Sequence, residues 1–332
     1  MNILTISGSP HVHHQESVKK IMWSVVIAMI PMLITSVLFF GWDALRVIAI
    51  SVAACLLVEW LIQKYLMKMP PTINDGSALI TGMLLAFNVP SGLDWWIVVI
   101  GAVIAIGVAK MSFGGLGKNP FNPALVGRVF LLVSFPQQMT TWPDVAPLLN
   151  ITDAITGPTP LNQLSAGIPM SISSLLAGSH GGSLGEVSAI AILLGGLFML
   201  WRKVITWHIP VAFIATSFVF VFAVCAISPD VFKVQLESGV MLNALSMAGV
   251  HLLLGGLLLG AIFMATDMVT SPMSCWGQIL FGVGCGALTV LIRLWGAYPE
   301  GVSFAILIMN AFVPLINKGF KPKKFGVKTV KI

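Results

Sequence analysis

Two threonine hydroxyls, those of Thr156 and Thr159, stand in a polar stretch of an otherwise apolar chain. The stretch reads Asp-Ala-Ile-Thr-Gly-Pro-Thr-Pro-Leu over residues 153–161, and its Gly-Pro pair predicts a turn between the threonines. It lies in a long segment rich in Pro, Gly, Ser, Thr, Asn and Gln, and long loops on a rigid scaffold often carry function. The residues alone leave two interpretations open, an ordinary Thr/Pro turn and a presented hydroxyl that performs chemistry.

Two carboxylates, Asp75 and Asp267, each stand among small polar residues at the boundary of an apolar segment. Charged groups within membrane segments are costly and commonly mark ion or proton pathways. We therefore interpret both residues as candidates for the path of a cation or proton, with pairing to other charged side chains as the alternative. Arg293 is expected to snorkel to the membrane interface.

Two amides, Asn119 and Asn122, stand in an Asn-Pro-Phe-Asn-Pro sequence that opens a short apolar segment. An amide both donates and accepts hydrogen bonds, and the start of a helix offers backbone N–H groups to an anion or an electron-rich ring. These residues are therefore candidates for ligand binding. The alternative is a purely structural role as helix caps.

The cysteines and histidines predict no catalytic or metal centre. The cysteines lack paired metal-ligand spacing, and we interpret them as packing residues. His208 and His251 each stand alone in apolar segments and are interpreted in the same way. The cysteines are Cys55, Cys225, Cys275 and Cys285.

The elements that must position these groups are membrane helices. Of 332 residues, 57% are hydrophobic and 9% are charged, and the mean hydropathy is +0.95. Soluble domains are about one-quarter charged, so this composition predicts an all-α polytopic membrane protein. The net charge of +6 follows the predicted membrane topology and does not indicate a nucleic-acid partner.

Ten apolar segments are predicted to be transmembrane helices, some of them short because helices can be broken or buried. Five precede the polar loop and five follow it, so the two halves have opposite orientations, as in inverted-repeat transporters. The predicted spans are residues 21–40, 45–63, 77–90, 96–112, 121–136, 186–201, 206–227, 246–265, 278–294 and 301–316. The predicted organisation is a cytoplasmic N-terminal segment (1–20), a first five-helix repeat (21–136), an extracytoplasmic loop (137–185), a second five-helix repeat (186–316) and a basic cytoplasmic tail (317–332).

The basic residues predict the orientation, because Lys and Arg favour the cytoplasmic side of a membrane. Most of them fall on one side when the ten spans are threaded in order, which predicts cytoplasmic termini and an extracytoplasmic loop around Thr159. The residues on that side are Lys19, Lys20, Lys64, Lys68, Lys110, Lys118, Arg202, Lys203 and the lysines from Lys318 to Lys331.

Several motifs, in order along nearly the whole chain, resemble a family of membrane redox subunits. The family contains the D subunit of the Rnf ion-translocating oxidoreductase and the B subunit of the sodium-pumping NADH:quinone reductase, and the compact N-terminus favours the Rnf type. Besides the threonine loop, the motifs are Asp75-Gly-Ser-Ala-Leu-Ile-Thr-Gly-Met-Leu-Leu, Phe113-Gly-Gly-Leu-Gly-Lys-Asn-Pro-Phe-Asn-Pro-Ala-Leu-Val-Gly-Arg, Ala265-Thr-Asp-Met-Val-Thr-Ser-Pro and Ala297-Tyr-Pro-Glu-Gly-Val-Ser-Phe-Ala-Ile-Leu-Ile-Met-Asn-Ala.

The resemblance implies a covalent FMN. In this family FMN is joined through its phosphate, as an ester with the last Thr of a Ser/Thr-Gly-Ala-Thr sequence, which corresponds to Thr159. Thr156 and Gly157 then occupy the first two positions, and Asp153 occupies the acidic position of the motif recognised by a separate flavin transferase. Pro158 replaces the usual Ala; it fixes the backbone but leaves the acceptor hydroxyl intact.

The resemblance also implies a second flavin, riboflavin, held non-covalently within the membrane domain. The Asn-x-x-Asn-Pro stretch of the family is tied to this region. Asn119 and Asn122 are therefore the candidates to bind riboflavin.

A subunit of this kind is expected to pass electrons in ferredoxin- and NAD-linked chemistry coupled to Na⁺ or H⁺ transport, in a bacterial or archaeal cytoplasmic membrane. It has neither a nicotinamide fold nor an iron–sulfur motif, so it is expected to be inactive alone. The expected partners are an extracytoplasmic FMN subunit, iron–sulfur membrane subunits and an NAD-binding subunit. Alternative functions are a component of a sodium-pumping NADH:quinone reductase, a stand-alone small-solute channel or transporter, and a purely structural scaffold.

Overall fold

The computed structural model describes residues 17–143, 157, 160–165, 172–178, 180–227, 243–296 and 301–321. All regular secondary structure in these residues is helical, as the composition predicted. The α-helices are α1 (Val18–Leu61), α2 (Ser77–Phe87), α3 (Trp95–Val103), α4 (Pro123–Ser134), α5 (Pro136–Thr140), α6 (Pro160–Ser165), α7 (Ile172–Ala177), α8 (Ala189–Trp201), α9 (His208–Ile227), α10 (Ala244–Leu253), α11 (Leu257–Leu259), α12 (Cys275–Trp295) and α13 (Val302–Gly319). Short π-helical turns extend α1, α3 and α11 over Ile62–Leu66, Ile104–Val108 and Gly260–Met264.

Helix α1 folds back on itself at Gly41, where φ is 61° and ψ is −138°. A straight helix rises about 1.5 Å per residue, so positions 22 and 59 would otherwise lie roughly 55 Å apart. Both instead reach the start of α2. A β-carbon placed on Gly76 would lie 3.6 Å from Met22 Cβ, and Glu59 is joined through one lysine side chain to the first residue of α2. The first two predicted spans are thus the arms of a helical hairpin, and the interruption that the sequence predicted between them is confined to the non-helical backbone at Gly41.

Within the described residues, five helices are long and apolar enough to cross a membrane, and a bent pair makes a sixth candidate. The polytopic membrane class is thereby supported, while ten crossings and an inverted repeat stay predictions. The five are Val18–Leu66, Trp95–Phe113, His208–Ile227, Cys275–Trp295 and Val302–Gly319, and the bent pair is Ala244–Leu253 with Leu257–Met264, at 66°. The remaining predicted spans contain α2, α4 and α8, which have 11, 12 and 13 residues and are too short to cross about 30 Å of hydrocarbon alone.

Helix α2 ends inside the protein, and carbonyl groups at its last residue and just after it accept hydrogen bonds from another segment of the chain. The N–H of Gly185 donates to the carbonyl of Phe87 at 2.9 Å, and the N–H of Leu184 donates to that of Val89 at 3.3 Å. A β-carbon on Gly185 would collide with Phe87 Cβ, so this approach requires glycine. Irregular backbone at membrane depth needs internal partners of this kind, which explains how a half-length helix can end among the others.

The buried apolar side chains of the described residues form two clusters. The larger one contains residues from the helices α1 through α5, from α8 and α9, and from α11 through α13. In the smaller one, Leu161 and Leu164 of α6 and Leu175 of α7 pack on α9, α10 and α12. The two short helices of the long polar loop are therefore attached to the second half of the chain.

Candidate functional site

A cavity of about 100 Å³ lies where α1, α2, α4, α8 and the turn after α11 meet. Three residues predicted to bind a ligand or an ion line it: Asn119, Asn122 and Asp267. Lys110 and Ser77 also line it, and apolar side chains provide most of the remaining wall. The fold therefore brings candidates from both halves of the sequence into one site.

Asn122 is the N-cap of α4 and also a cavity residue. Its Oδ1 accepts a hydrogen bond from the N–H of Ala124 at 3.1 Å, and its Nδ2 donates to the carbonyl of Met264 at 3.2 Å. An amide has two donor hydrogens and two acceptor lone pairs, and these bonds use one of each. The capping and ligand-binding interpretations are therefore compatible.

Asn119 and Asn310 shape the backbone around this cap. Asn119 is 5% exposed and its Nδ2 donates to the carbonyl of Phe121 at 3.0 Å. With the amide of Asn310 oriented to satisfy both neighbours, it accepts from the N–H of Asn122 at 3.2 Å and donates to the carbonyl of Thr270 at 3.3 Å. Asn310 was not among the residues predicted from the sequence, although an amide within an otherwise apolar helix was a signal.

A buried ion pair lies beside the amides. Lys110 Nζ is 2.7 Å from Glu59 Oε2 and donates to Ser77 Oγ, also at 2.7 Å. Lys110 is 2% exposed and Glu59 is 1% exposed. The charge pattern of the sequence placed Lys110 only at the cytoplasmic boundary, whereas the structure buries it at the cavity wall. Its position near the end of the predicted span 96–112 did not distinguish a lysine that faces water from one that pairs with a buried carboxylate.

Asp75 is linked to this ion pair through Ser77. Asp75 Oδ1 accepts from the backbone N–H of Ser77 at 2.9 Å and from its hydroxyl at 2.8 Å. The same hydroxyl accepts from Lys110, so a continuous series of polar groups connects Asp75 to the cavity. Asp75 itself is half-buried and lies behind the cavity wall.

Asp267 reaches the cavity from the second half of the chain. It is half-buried, and its carboxylate accepts from the N–H of Val269 at 3.3 Å and from the hydroxyl of Thr270 at 3.1 Å. Burial raises the pKa of Asp267, although these hydrogen bonds and the charge of Lys110 oppose the shift. A poorly solvated carboxylate of this kind favours taking up a proton or pairing with a cation.

Arg128, which the sequence places inside a predicted span, stabilises the end of α2. It is 6% exposed, and its Nη1 donates to Asn88 Oδ1 at 2.7 Å. Asn88 Nδ2 donates in turn to the carbonyl of Leu84 at 2.6 Å. This cation therefore holds the irregular backbone after α2 and does not line the cavity.

The predicted FMN site lies almost wholly outside the described residues. The undescribed candidates are Asp153, Thr156 and Thr159. Gly157 is described, and its N–H donates to the carbonyl of Trp142 at 3.2 Å. This contact joins the threonine loop to the chain that follows α5.

Helix α6 begins directly after Thr159 and rests on the bend between α10 and α11. Leu161 Cδ2 would lie 3.3 Å from a β-carbon on Gly255 at that bend. Arg293 of α12 donates to the carbonyl groups of His251 at 2.8 Å and Gly255 at 2.9 Å. The expectation that Arg293 snorkels is therefore wrong: its guanidinium binds the carbonyl end of α10, where a helix dipole stabilises a cation.

These features define a polytopic helical membrane protein whose two halves enclose a cavity with amide and charged groups. The chain belongs to the NQR2, RnfD, RnfE family, which matches residues 5–326. The resemblance inferred from the motifs is thereby confirmed.

Three relatives show the similarity in detail, and each is named as the D subunit of its complex. The chain is 44% identical over 338 residues to the D subunit of the proton-translocating ferredoxin:NAD(+) oxidoreductase complex of Clostridium ljungdahlii, and the alignment covers 98% of this chain and 97% of the relative. It is 42% identical over 333 residues to the D subunit of the Na(+)-translocating ferredoxin:NAD(+) oxidoreductase complex of Acetobacterium woodii, and the alignment covers 99% of this chain and 97% of the relative. It is 36% identical over 360 residues to the D subunit of the ion-translocating oxidoreductase complex of Escherichia coli strain SE11, and the alignment covers 98% of this chain and 99% of the relative. These similarities confirm the recognition of the Rnf type within the family.

Proposed function

We propose that this chain is the flavin-carrying membrane subunit of an ion-translocating oxidoreductase of the Rnf type, and that it is inactive without the other subunits. Family membership supports the proposal, as do relatives named as the D subunits of ferredoxin:NAD(+) oxidoreductase complexes. In this role the chain passes electrons through FMN on Thr159 and riboflavin in the cavity. The electron transfer is coupled to transport of Na⁺ or H⁺.

The observation that carries the proposal is the meeting of Asn119, Asn122 and Lys110 at one largely apolar cavity. A flavin ring has flat faces that suit apolar walls and a polar edge of carbonyl and imide groups that suits amide side chains. The chemistry of the lining residues therefore suits such a ring. When bound, riboflavin supplies one-electron transfer, while the chain orients the ring and excludes water from it.

Thr159 is the proposed acceptor of FMN. A separate flavin transferase would move an FMN-phosphoryl group from a flavin dinucleotide to the threonine hydroxyl: the ester bond forms as the pyrophosphate bond breaks, the other nucleotide leaves, and the hydroxyl proton is released. Asp153, Thr156 and Gly157 would form the sequence that this enzyme recognises. Burial of Leu161 against the second half of the chain fixes the start of α6, which directly follows Thr159 in sequence.

Asp75 and Asp267 are the proposed ion path. Their convergence on the cavity, one through Ser77 and one directly, supports coupling between a flavin and an ion. Moving one charge across the membrane requires about 2.3 kcal/mol per 100 mV, which a modest drop in redox potential can supply. One relative is named as translocating protons and another as translocating Na(+).

The proposed architecture has ten crossings in two inverted five-helix repeats, within a bacterial or archaeal cytoplasmic membrane. Both termini are cytoplasmic and the Thr159 loop is extracytoplasmic. The reversal of α1 at Gly41 supports the first two crossings, and the bend between α10 and α11 is typical of the broken helices of transporters. The partners are an extracytoplasmic FMN subunit, iron–sulfur membrane subunits and an NAD-binding subunit.

The riboflavin site is tested by measuring the non-covalent flavin released from the purified, denatured complex. Asn119→Ala is expected to weaken riboflavin binding about tenfold, because it removes a hydrogen bond worth about 1.4 kcal/mol. The matched control is Asn243→Ala, at an exposed amide outside the cavity, which should retain the riboflavin of the wild type.

Three results, one from this experiment and two from separate measurements, would contradict the proposal. A wild-type complex without released riboflavin would contradict it, and solute flux through the isolated chain in liposomes would identify a channel or transporter. Electron transfer that requires quinone in place of ferredoxin would identify a component of an NADH:quinone reductase.

A further inference from the structure

The Lys110–Glu59 pair requires an explanation beyond folding. Both side chains are almost fully buried, and their charged atoms are 2.7 Å apart. Removing two charges from water is expensive, and a buried ion pair is often no more stabilising than well-packed apolar residues of similar volume. The pair lies beside the cavity, since Lys110 forms part of its wall.

Glu59 is held rigidly on the side away from the cavity. Its Oε1 accepts from Gln63 Nε2 at 3.2 Å. Gln63 is itself fixed by two hydrogen bonds with Thr72. Gln63 Nε2 donates to the Thr72 hydroxyl at 2.9 Å, and Gln63 Oε1 accepts from the backbone N–H of Thr72 at 2.8 Å. The carboxylate is thus anchored, whereas its lysine partner has a flexible four-carbon stem.

Lys110 has one donor more than its two protein partners require. An ammonium group carries three N–H donors, and Glu59 and Ser77 accept two of them. The third is available to a group in the cavity. The cation lines the same cavity as Asn119 and Asn122, where the proposed function puts the polar edge of a flavin.

We propose that Lys110 tunes the redox potential of the cavity flavin, by offsetting the negative charge that the ring gains on reduction. Glu59 is the counter-ion that balances Lys110 while the ring is oxidised. This inference rests on the proposed function, because it takes riboflavin as the occupant of the cavity. No bond forms or breaks in the protein: the electron comes from another redox centre of the complex, and only the electrostatic balance around Lys110 changes.

The physical basis is the low polarity of the site. Charges interact far more strongly in a protein interior than in water, so a buried cation favours the reduced, more negative form of a nearby ring. Removing Lys110 leaves the carboxylate of Glu59 to oppose reduction. Removing the charge of Glu59 leaves the cation unbalanced and favours reduction. The two substitutions therefore have opposite predicted effects.

The test is a redox titration of the non-covalent flavin in the purified complex, followed by its absorbance. Lys110→Met is expected to lower the equilibrium constant for one-electron reduction at least tenfold, which is about 59 mV for one electron. Glu59→Gln is expected to raise the potential. Lys118→Met, which removes an exposed lysine of the nearby loop, is the control and should leave the potential unchanged.

A double variant keeps the test decisive if a single substitution prevents assembly. Lys110→Met with Glu59→Gln removes both charges together and so avoids an unpaired buried charge. Because the lysine is the member of the pair at the cavity wall, the double variant should have a potential below that of the wild type. An equal or higher potential would overturn the inference.

The single variants separate electrostatic tuning from a structural role. Shifts in the same direction for Lys110→Met and Glu59→Gln, or no shift in either with riboflavin retained, would overturn this inference alone. A wild-type complex that contains no riboflavin would overturn the proposed function itself.

Discussion

The burial of the Asp267 side chain disfavours its charged form. Burial raises its pKa, against the hydrogen bonds from Val269 and Thr270. The unfolded chain has the ordinary carboxyl pKa, so the folded protein binds this proton more tightly than the unfolded chain does. The stability that Asp267 contributes is therefore fully present below the ordinary pKa, and it is lost as the pH rises through the raised value.

Asp267→Asn is predicted to remove this part of the pH dependence. Its thermal midpoint in detergent should rise relative to that of the wild type as the pH is increased above the ordinary carboxyl pKa of about 3.9. Asp43→Asn is the control, because Asp43 is solvent-exposed on α1. A difference between the wild-type and Asp267→Asn thermal midpoints that does not change with pH would show that the burial of Asp267 has no such effect.

Several residues that line the cavity could be predicted from the sequence, because polar side chains in apolar segments are costly and therefore stand out. Asn119, Asn122 and Asp267 were all singled out, and all line the cavity. The partners were not predictable: Glu59 and Lys110 are 51 residues apart in sequence, and only the fold brings them together. A lysine at the end of an apolar segment has the same sequence signature whether it faces water or a buried carboxylate.

At the scale of secondary structure, apolar length predicted the helices but not how they end. Every predicted span contains a helix. However, the reversal at Gly41 depends on a backbone conformation with positive φ, and the end of α2 depends on a loop about a hundred residues later in the chain. Such features follow from tertiary contacts, which periodicity and composition do not contain.

The contact between Gly185 and Phe87 predicts a strong effect of a single methyl group. Gly185→Ala should destabilise the protein by about 1–3 kcal/mol, because the added carbon overpacks the end of α2. Gly249→Ala is the matched control: a β-carbon at Gly249 meets no atom within 4 Å, and alanine favours a helix by up to about 1 kcal/mol. Thermal unfolding of the purified complexes measures both. Equal midpoints for the two variants would contradict this account of the α2 end.

At the scale of the whole molecule, the orientation rests on the distribution of lysine and arginine. That distribution predicts that Cys275, at the start of α12, is cytoplasmic and that Asp43, at the turn of α1, is extracytoplasmic. Cys275 is exposed, while the other three cysteines are buried, so the native chain offers one accessible thiol as a marker.

Membrane-impermeant maleimide is predicted to label Cys275 in inside-out vesicles and not in right-side-out vesicles. A Cys275→Ser chain that also carries Asp43→Cys should show the reverse pattern, and Cys275→Ser alone should remain unlabelled in both. Labelling of both thiols from the same side would contradict the predicted number of crossings between them.

The central claim is that the chain carries flavin, and covalent FMN on Thr159 tests it most directly. The measurement is intact mass and in-gel flavin fluorescence of the denatured chain, after expression with its partners and a flavin transferase. The wild type should carry the mass and fluorescence of one FMN-phosphoryl group, Thr159→Ala should carry neither, and Thr141→Ala, at an exposed hydroxyl near the start of the same loop, should retain both. A wild-type chain without flavin, or a Thr159→Ala chain that keeps it, would contradict the account.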